Sequence, residues 1–296
     1  MSEICKDKVV IALGNFDSVH IGHRSVISRA NLKAKELGAK LVVFLFESGL
    51  RSMLLGTSDK PVYDLKKRQS LIEEIAPVKF HVAPVSKDFL ETDRSKFLDS
   101  LCIEYDVKCF VSGDDFRFGK NADGNVEYLR EYSLKNGIEV LTVEGVNFDD
   151  KRVSTTVIKG LLQDGDIKSA NRLLGKNYSI LGRVEKGRGV GKNLGFPTVN
   201  LSIDNSVLSL KCAVYKGCVK IDGKKYKAII NYGDRPTFSL DEKLIEAHVI
   251  DSSGDLYGRT IQLEFTDYLR EIIEFDDKDQ LIKQLKKDVR EAKQND

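Results

Sequence analysis

The first half of the chain alternates short apolar runs with segments whose apolar positions recur at helical spacing. Val9–Leu13 has the pattern of a buried strand and ends at Gly14, and residues 22–37 carry apolar side chains three and four positions apart. Gly38 follows as a helix C′ residue, and Lys40–Phe46 is a second apolar strand. Such a strand–helix–strand unit predicts parallel pairing with a right-handed crossover.

The same alternation continues to about residue 150. It predicts further helices and strands over Asp64–Ile75, Lys79–Ala83, Arg94–Tyr105, Lys108–Val111, Asn125–Lys135 and Ile138–Val143. Strands that alternate with helices are typical of a parallel sheet with helices on its faces. We therefore predict a doubly wound α/β domain in this half of the chain.

Residues 154–174 predict a helical connector in two pieces. The sequence Asp164-Gly165-Asp166 separates the pieces, and Gly175 ends the second one. Because the pattern changes from helix to strand just after this glycine, we place the domain boundary there. The predicted domains cover residues 1–176 and 177–296.

Beyond the connector, β-branched and aromatic residues form short runs. These runs predict strands over Tyr178–Val184, Ala213–Ile221, Tyr226–Asn231, Ile245–Ile250 and Thr260–Phe265. Asp222-Gly223 joins two of the strands as a type I′ hairpin, and a helix over about Asp279–Ala292 closes the chain. Several short strands at turn spacing predict a small antiparallel β-barrel that carries a terminal helix.

Composition narrows the function classes. The 296 residues are 41% apolar and 31% charged, which predicts two packed domains and excludes wholesale disorder. The formal net charge of +2 predicts neither nucleic-acid binding nor a polybasic membrane surface. The longest apolar run, Leu41–Phe46, is far shorter than the ~20 residues of a membrane span, and Val9–Leu13 is too short for a signal-peptide core.

The cysteines indicate a reducing compartment. Their number is odd, and no two have the C-x-x-C spacing of a zinc site or redox motif: Cys5, Cys102, Cys109, Cys212 and Cys218. We expect reduced thiols in a cytoplasmic protein, with neither a zinc site nor a disulfide framework.

The stretch from Gly14 to His23 joins the first strand to the first helix and reads Gly-Asn-Phe-Asp-Ser-Val-His-Ile-Gly-His. Doubly wound sheets bind ligands at the carboxyl ends of their strands. His20 and His23 are three residues apart and can face one way, while Gly22 lets a phosphate approach the backbone. The helix N-terminus adds free N–H groups and partial positive charge. This combination favours a polyphosphate site over histidines that only cap the helix.

A second loop, Gly113-Asp114-Asp115-Phe116-Arg117-Phe118-Gly119, follows the strand that ends near Val111, at the same edge of the sheet. Its aromatic side chains can contact a flat ring, and Arg117 can reach a phosphate. From these residues alone, a polar loop with two core aromatic side chains is the simpler interpretation.

A third stretch places three hydroxyl side chains, Ser154, Thr155 and Thr156, at the start of the connector helix. Hydroxyls at this position are first of all an N-cap signal. Arg152 and Lys159 flank them, and a helix N-terminus of this composition is also suited to phosphate. Both interpretations remain open on these residues.

In the second half, four glycines lie between Gly187 and Gly195, and Phe-Pro-Thr-Val-Asn follows. A flexible hairpin loop is the simplest interpretation of the glycines alone. If the residues after them are extended, Thr198 and Asn200 point to one side, and their oxygens suit Mg²⁺ bridged to phosphates. The loop and this Pro-Thr-Val-Asn sequence together favour a site for Mg²⁺ and phosphate.

Two predicted strands carry further polar residues. One stretch begins Asn231-Tyr-Gly-Asp-Arg235-Pro-Thr, and the other is Ile245-Glu-Ala-His-Val-Ile250. Because side chains alternate along a strand, Glu246, His248 and Ile250 share one face. On spacing alone, this face can also be a solvent-facing edge.

Together these motifs resemble those of the bacterial bifunctional riboflavin kinase/FMN adenylyltransferases, also called FAD synthetases. The first three are similar to that family's G-x-F-D-G-V-H-x-G-H, G-x-D/N-F-x-F-G and R-I-S-S-T-x-I-R elements. The others are similar to its G-x-x-x-G-F-P-T-A-N, N-x-G-x-R-P-T and L-E-x-H elements. The resemblance runs from Gly14 to about Asp288, with the motifs in family order.

The chain does not match the family pattern at every position. Ser18 replaces the usual glycine, and a positive φ there would cost serine roughly 1 kcal/mol. Lys159 replaces the usual final arginine. This predicts weaker binding of phosphate, because lysine lacks the two-pronged guanidinium of arginine. Val199 replaces the usual alanine.

The resemblance implies a nucleotidyltransferase-like first domain that transfers AMP from ATP to FMN, giving FAD and pyrophosphate. It implies a barrel that transfers the γ-phosphoryl group of ATP to the 5′-hydroxyl of riboflavin, with Mg²⁺ as cofactor. The expected partners are therefore small molecules, riboflavin, FMN and ATP, rather than nucleic acid or a membrane. We expect a monomer or weak homo-oligomer.

The resemblance also implies roles for single side chains. Implied catalytic residues are His20, His23 and, as general base, Glu246. At the adenylyltransferase site it implies ATP contacts for Gly14, Phe16, Asp17, His20, His23, Arg152, Ser154, Thr155 and Lys159, and flavin contacts for Asp115, Phe116, Arg117 and Phe118. At the kinase site it implies ATP contacts for Gly187, Gly189, Gly195, Pro197, Thr198, Asn231 and Arg235, and metal contacts for Thr198 and Asn200.

Two alternatives stay open on the sequence. One is a monofunctional riboflavin kinase or FMN adenylyltransferase in which the other module has decayed. The other is a non-catalytic flavin-binding regulatory protein, and the lack of a basic patch disfavours a nucleic-acid-binding form of it.

Overall fold

The computed structural model describes residues 6–47, 59–187, 191, 194–234, 243–251 and 254–294. Its contacts divide the chain into two compact units, Met1–Thr155 and Thr156–Asp296. The sequence-based boundary at 176/177 concerns which segments fold independently, and it stays a prediction. No helix in the described part of the chain combines the length and apolar character that a membrane span needs.

The first unit is built on a five-stranded parallel sheet of order β3-β2-β1-β4-β5. Its strands are β1 (Lys8–Leu13), β2 (Lys40–Phe46), β3 (Lys79–Ala83), β4 (Asp106–Gly113) and β5 (Glu139–Val143). Its helices are α1 (Ile21–Glu36), α2 (Leu65–Glu73), α3 (Lys87–Leu90), α4 (Arg94–Glu104) and α5 (Val126–Lys135). The predicted α/β fold with a parallel sheet is confirmed.

The central strands are buried on both faces, as their continuous apolar runs predict. Every side chain from Val9 to Leu13 is at most 1% exposed. On one face, the rings of Phe44, Phe97 and Phe110 belong to a cluster that α4 and α5 close. Full burial of each such side chain contributes roughly 1.5–3 kcal/mol.

The strand order of this sheet changes direction between β1 and β4. Gly14 follows the end of β1, and Gly113 is the last residue of β4. In doubly wound sheets, the crevice outside two such strand ends is the usual ligand site. The topology therefore brings the first two sequence motifs side by side.

A short hairpin of β6 (Asn147–Phe148) and β7 (Lys151–Arg152) leads into α6 (Thr155–Asp164). A second helix, α7 (Ile167–Leu174), follows and ends at Gly175, which has a left-handed φ of 71°. The predicted two-piece connector is confirmed, with the break after Asp164.

The second unit contains a closed barrel of six strands ordered β10-β11-β12-β9-β8-β13, and every neighbouring pair is antiparallel. The strands are β8 (Tyr178–Glu185), β9 (Val199–Ile203), β10 (Ala213–Ile221), β11 (Lys224–Asp234), β12 (Lys243–Val249) and β13 (Thr260–Arg270). Asp222 and Gly223 have φ angles of 50° and 81°, which confirms the type I′ hairpin. The predicted barrel is confirmed, although the prediction assigned no strand to β9.

The terminal helix, α8 (Lys278–Lys293), is held on the barrel by a buried ion pair. Arg270 Nη2 lies 2.7 Å from Asp288 Oδ2, and Asp288 is only 1% exposed. Gln284 Nε2 donates to the other carboxylate oxygen at 2.7 Å. A paired and hydrogen-bonded carboxylate is the form in which a buried charge is tolerated.

Candidate active sites

The turn after β1 is backbone-strained and tightly packed. Phe16 and Val19 have positive φ angles of 47° and 46°, which is a rare conformation for a β-branched valine. The Phe16 ring folds back so closely that a Cβ on Gly14 would lie 2.7 Å from it. Ser18 does not have a positive φ, so its replacement of the family's glycine carries no strain of that kind.

His20 is the N-cap of α1. Its Nδ1 accepts a hydrogen bond of 3.1 Å from the backbone N–H of His23. Because Nδ1 is the acceptor, the proton of the neutral ring is on Nε2. This cap fixes the tautomer and leaves the Nε2–H of His20 as a donor for a ligand.

The two imidazoles are stacked, with ring centroids 3.6 Å apart and an interplanar angle of 15°. Burial lowers the pKa of His20 to about 4, and the positive charge of Arg152 adds to the effect. Burial, together with neighbouring His20, holds the pKa of His23 well below its usual value. Both rings are therefore neutral at pH 7, and the predicted one-sided arrangement of the pair is confirmed.

Buried polar side chains hold the turn after β1 in position through hydrogen bonds. Arg68 is 2% exposed and donates to the backbone oxygens of Phe46 at 2.9 Å and Asn15 at 3.3 Å. Asp17 is 7% exposed, and its Oδ1 accepts from the N–H of Val62 at 2.8 Å. The carboxylate of Asp17 thus has a backbone partner, and its implied ATP contact stays a prediction.

The second and third motifs meet at Arg152. Its guanidinium forms a two-pronged pair with Asp114, and its Nη2 lies 3.1 Å from Asp115 Oδ2. The third motif also reaches the first, because the hydroxyls of Ser18 and Thr155 are 3.0 Å apart. All three motifs of the first unit therefore surround one place at the carboxyl edge of the sheet.

The aromatic side chains of the second motif differ in burial. Phe118 is 7% exposed and packs in the core beside Phe97, with ring centroids 5.4 Å apart. Phe116 stacks on Phe118 at 5.5 Å and is only partly buried, while Arg117 is exposed. Phe116 is therefore the ring of this loop that is better placed to meet a flat ligand.

A cavity of about 780 Å³ is lined by residues of the barrel strands and of α8, among them Leu281 and Leu285. A single row of cross-strand neighbours contributes to its lining, in register across six strands: Arg270, Val214, Asn231, Glu246, Asn200 and Glu185. Directly opposed residues of antiparallel strands project to the same face of the sheet. The barrel thus assembles a polar row from β8, β9, β11, β12 and β13.

Glu246 lies in the middle of this row, on a strand that pairs on both sides. Its register partners are Asn231 and Asn200, and burial raises the pKa of its carboxyl above the usual value. Asn231 Oδ1 is buried without a hydrogen-bond partner among the described residues. The interpretation of Glu246 as a solvent-facing edge residue is therefore wrong.

Two described glycines of the glycine-rich loop, Gly187 and Gly191, pack directly against the residues that follow the loop. A Cβ on Gly187 would lie 1.8 Å from Asn200 Nδ2, and one on Gly191 would lie 2.4 Å from the carbonyl oxygen of Phe196. Thr198 and Asn200 both line the cavity, as the extended-chain prediction requires. Only glycine permits so close an approach of the loop.

Comparison with known proteins decides the family. The family model for FAD synthetase matches residues 2–157, and the model for riboflavin kinase matches residues 174–295. Bifunctional riboflavin kinase/FMN adenylyltransferase from Haemophilus influenzae is 34% identical over 96% of this chain and 92% of its own length. The chain belongs to the bifunctional riboflavin kinase/FMN adenylyltransferase family.

Two further relatives span both units. The enzyme of the same name from Bacillus subtilis is 32% identical over 96% of this chain and 92% of its own length. A crystal structure described as a macrolide-efflux protein from Streptococcus pneumoniae matches with a TM-score of 0.89 and 26% identity, over 98% of this chain and 95% of that one. Both parts of the bifunctional family are therefore present in this chain, in family order.

Not every residue implied by the family motifs is placed. Gly189 and Arg235 lie outside the described residues. Lys159 is 6% exposed on α6 and belongs to the second compact unit, so its role at the first unit's site stays a prediction. The other implied roles also stay predictions, although the structure gathers their residues at two places.

Sequence reasoning missed two residues beside the family's adenylyltransferase motifs. Asp114 holds Arg152, although only its neighbour Asp115 matches the motif. Arg68 donates to the turn from a helix that lies 45 or more residues further along the chain. In the sequence, Arg68 looks like one of several surface cations. The paired carboxylates after β4 are a signal that can identify Asp114, whereas nothing local identifies Arg68.

Proposed function

We propose that this chain makes FMN and FAD, with riboflavin kinase chemistry in the barrel cavity and FMN adenylyltransferase chemistry at the turn after β1. Family membership supports the two activities together. The observation that carries the kinase assignment is the register of β12 with β9, which sets Glu246 opposite Asn200 inside the cavity. A half-buried carboxylate beside a phosphate-suited loop is the arrangement that activates a hydroxyl for phosphoryl transfer.

In the kinase step, Glu246 accepts the proton of the riboflavin 5′-hydroxyl as that oxygen bonds to the γ-phosphorus of ATP. The bond between the γ-phosphorus and the bridging oxygen breaks, and ADP leaves. The raised pKa of Glu246 suits this role, because a stronger base takes the proton more readily near neutral pH. The glycine-rich loop and Thr198 position the ATP phosphates.

The residues of the cavity also suit Mg²⁺. Thr198 and Asn200 present a hydroxyl and an amide oxygen. Asn231 Oδ1, in the same row, has no hydrogen-bond partner in the described part of the chain. Mg²⁺ prefers such oxygen ligands together with substrate phosphates and water. We propose that Thr198 and Asn200 hold the ion, which neutralises charge on the transferred phosphoryl group.

In the adenylyltransferase step, the phosphate of FMN attacks the α-phosphorus of ATP and pyrophosphate leaves. The nucleophile is already an anion, so the protein's work is to position it and to stabilise charge. The neutral His20 donates a hydrogen bond from Nε2. Arg152, which pairs with Asp114 after the end of β4, supplies positive charge. The hydroxyls of Ser154 and Thr155 lie at the start of α6 on the same side.

A single assay tests this proposal. The purified chain is incubated with riboflavin, ATP and Mg²⁺, and riboflavin, FMN and FAD are separated chromatographically. We expect FMN to appear first and FAD to follow, with neither product when Mg²⁺ is omitted. Formation of FMN alone would leave only the kinase, and binding of flavin without any product would contradict enzyme activity altogether.

We further propose that the two activities separate at the boundary near residue 176. A fragment of residues 177–296 contains the whole barrel and α8, because β8 begins at Tyr178. We expect this fragment to fold and to phosphorylate riboflavin without making FAD, measured by the same chromatography and by circular dichroism. A folded fragment that makes no FMN would show that the kinase needs residues before 177.

A further inference from the structure

Asp114 is fixed in place by the sheet. It follows the last residue of β4, and its backbone N–H donates to the carbonyl oxygen of Val143 at 3.1 Å. Its Oδ2 also accepts a weak hydrogen bond of 3.4 Å from the N–H of Gly145. The carboxylate therefore has a defined position at the carboxyl ends of β4 and β5.

Arg152 is held against this carboxylate in a fork-to-fork pair. Its Nη1 lies 3.2 Å from Asp114 Oδ2, and its Nη2 bonds Oδ1. The guanidinium lies directly on the backbone of Gly145, since a Cβ there would come within 2.5 Å of Arg152 Cζ. Any side chain at that position would displace the arginine.

The pair with Asp114 does not use all of the N–H donors of the Arg152 guanidinium. An arginine has five N–H donors in a rigid plane, and the pair with Asp114 uses one on each Nη atom. Nη2 also lies 3.1 Å from Asp115 Oδ2, so the donors that these contacts leave are the Nε–H and the second Nη1–H. The positive charge of Arg152 also contributes to the low pKa of the His20 ring.

We propose that Asp114 is a positioning residue for adenylyl transfer, which holds the Arg152 guanidinium facing the phosphate site opposite His20. This inference rests on the proposed role of Arg152 in binding the triphosphate. Without the Asp114 carboxylate, only the contact of Nη2 with the exposed Asp115 remains. A long side chain held at that one point samples more rotamers and reaches the phosphates only part of the time. With the Asp114 carboxylate, the Nε–H and the second Nη1–H already have fixed directions when ATP arrives.

The test replaces Asp114 by asparagine, which keeps the shape but removes the charge and half of the fork-to-fork pairing. The matched control is Asp222→Asn, because Asp222 forms the same two-pronged pair with Arg259 (3.2 and 2.5 Å) on the exposed β10–β11 hairpin. In steady-state assays with FMN and ATP, we expect Asp114→Asn to lower kcat/KM for ATP about ten-fold while KM for FMN stays within about two-fold. Asp222→Asn and the kinase activity of both variants are expected to match the parent protein.

A double-mutant cycle with Arg152→Met separates this inference from the proposed function. If Asp114 acts through Arg152, the asparagine substitution has no further effect once the arginine is gone. An Arg152→Met variant with full FAD synthesis would overturn the proposed role of Arg152 itself. With that role intact, three results would overturn the positioning role of Asp114: parental kinetics in Asp114→Asn, a lower KM for ATP in that variant, or an equal loss in both backgrounds.

Discussion

Substitution of Glu246 by glutamine is expected to lower the riboflavin kinase kcat by roughly 10²–10⁴-fold, the usual contribution of a general base. The ribityl hydroxyl is a poor nucleophile at neutral pH, and glutamine retains the shape of glutamate but cannot take its proton. Riboflavin affinity, measured by the quenching of flavin fluorescence, should change little. Conversion of supplied FMN to FAD should continue, because that site belongs to the other unit.

The control for this experiment is Glu264→Gln. Glu264 lies on β13, pairs with Lys225 at 2.6 Å and does not line the cavity, so its loss should leave both activities unchanged. Metal binding is the competing role for Glu246, and raised Mg²⁺ would then restore part of the lost rate. A glutamine variant with nearly parental kcat would show that Glu246 is not the base.

Replacement of both His20 and His23 by alanine is expected to remove FAD formation, with a loss of about 10²-fold or more, while FMN formation continues. The two stacked rings are neutral, and the proposed function uses them as hydrogen-bond donors to the phosphates. FMN formation by the same molecules is an internal control for folding. His81→Gln is the matched histidine control, because His81 lies on β3 beside Tyr105 and outside the proposed site.

One structural effect must be separated from the chemistry. His20 caps α1, and loss of an N-cap costs about 1 kcal/mol of stability, so the alanine variant can also loosen the helix start. Asparagine is a good N-cap residue, so His20→Asn retains a side-chain acceptor but lacks the imidazole donor. We expect it to remain inactive in FAD synthesis. Recovery of activity in this variant, or unchanged FAD synthesis in the double alanine variant, would contradict the role of the imidazoles.

Family membership bears on the alternatives that the sequence left open. Both family parts match, and the geometry of the first unit gives no sign of decay at Ser18, whose φ is not positive. Its hydroxyl instead lies 3.0 Å from that of Thr155, a contact that glycine cannot make. In this chain, Ser18 therefore links the first and third motifs.

The secondary structure was largely predictable, because it depends on local patterns. Lys40–Phe46, Lys79–Ala83 and Ala213–Ile221 are strands with the predicted bounds, since apolar and β-branched runs of this length have few other stable conformations. β9 was missed because Val199–Ile203 continues from a glycine-rich loop, and only pairing with β12 and β8 shows it to be a strand. The motifs were equally visible, because each is contiguous in sequence.

What the sequence alone determined was thus the order of elements, the change from parallel sheet to barrel, and the residues with suitable chemistry. Tertiary structure alone decided which of those residues meet. Asp114 reaches Arg152 across 38 residues, Ser18 reaches Thr155 across 137, and the register of β12 decides that Glu246 faces a cavity instead of solvent. The physical reason is that a shift of one residue in strand register turns every side chain to the opposite face. No local pattern fixes that register, because the packing of the whole barrel selects it.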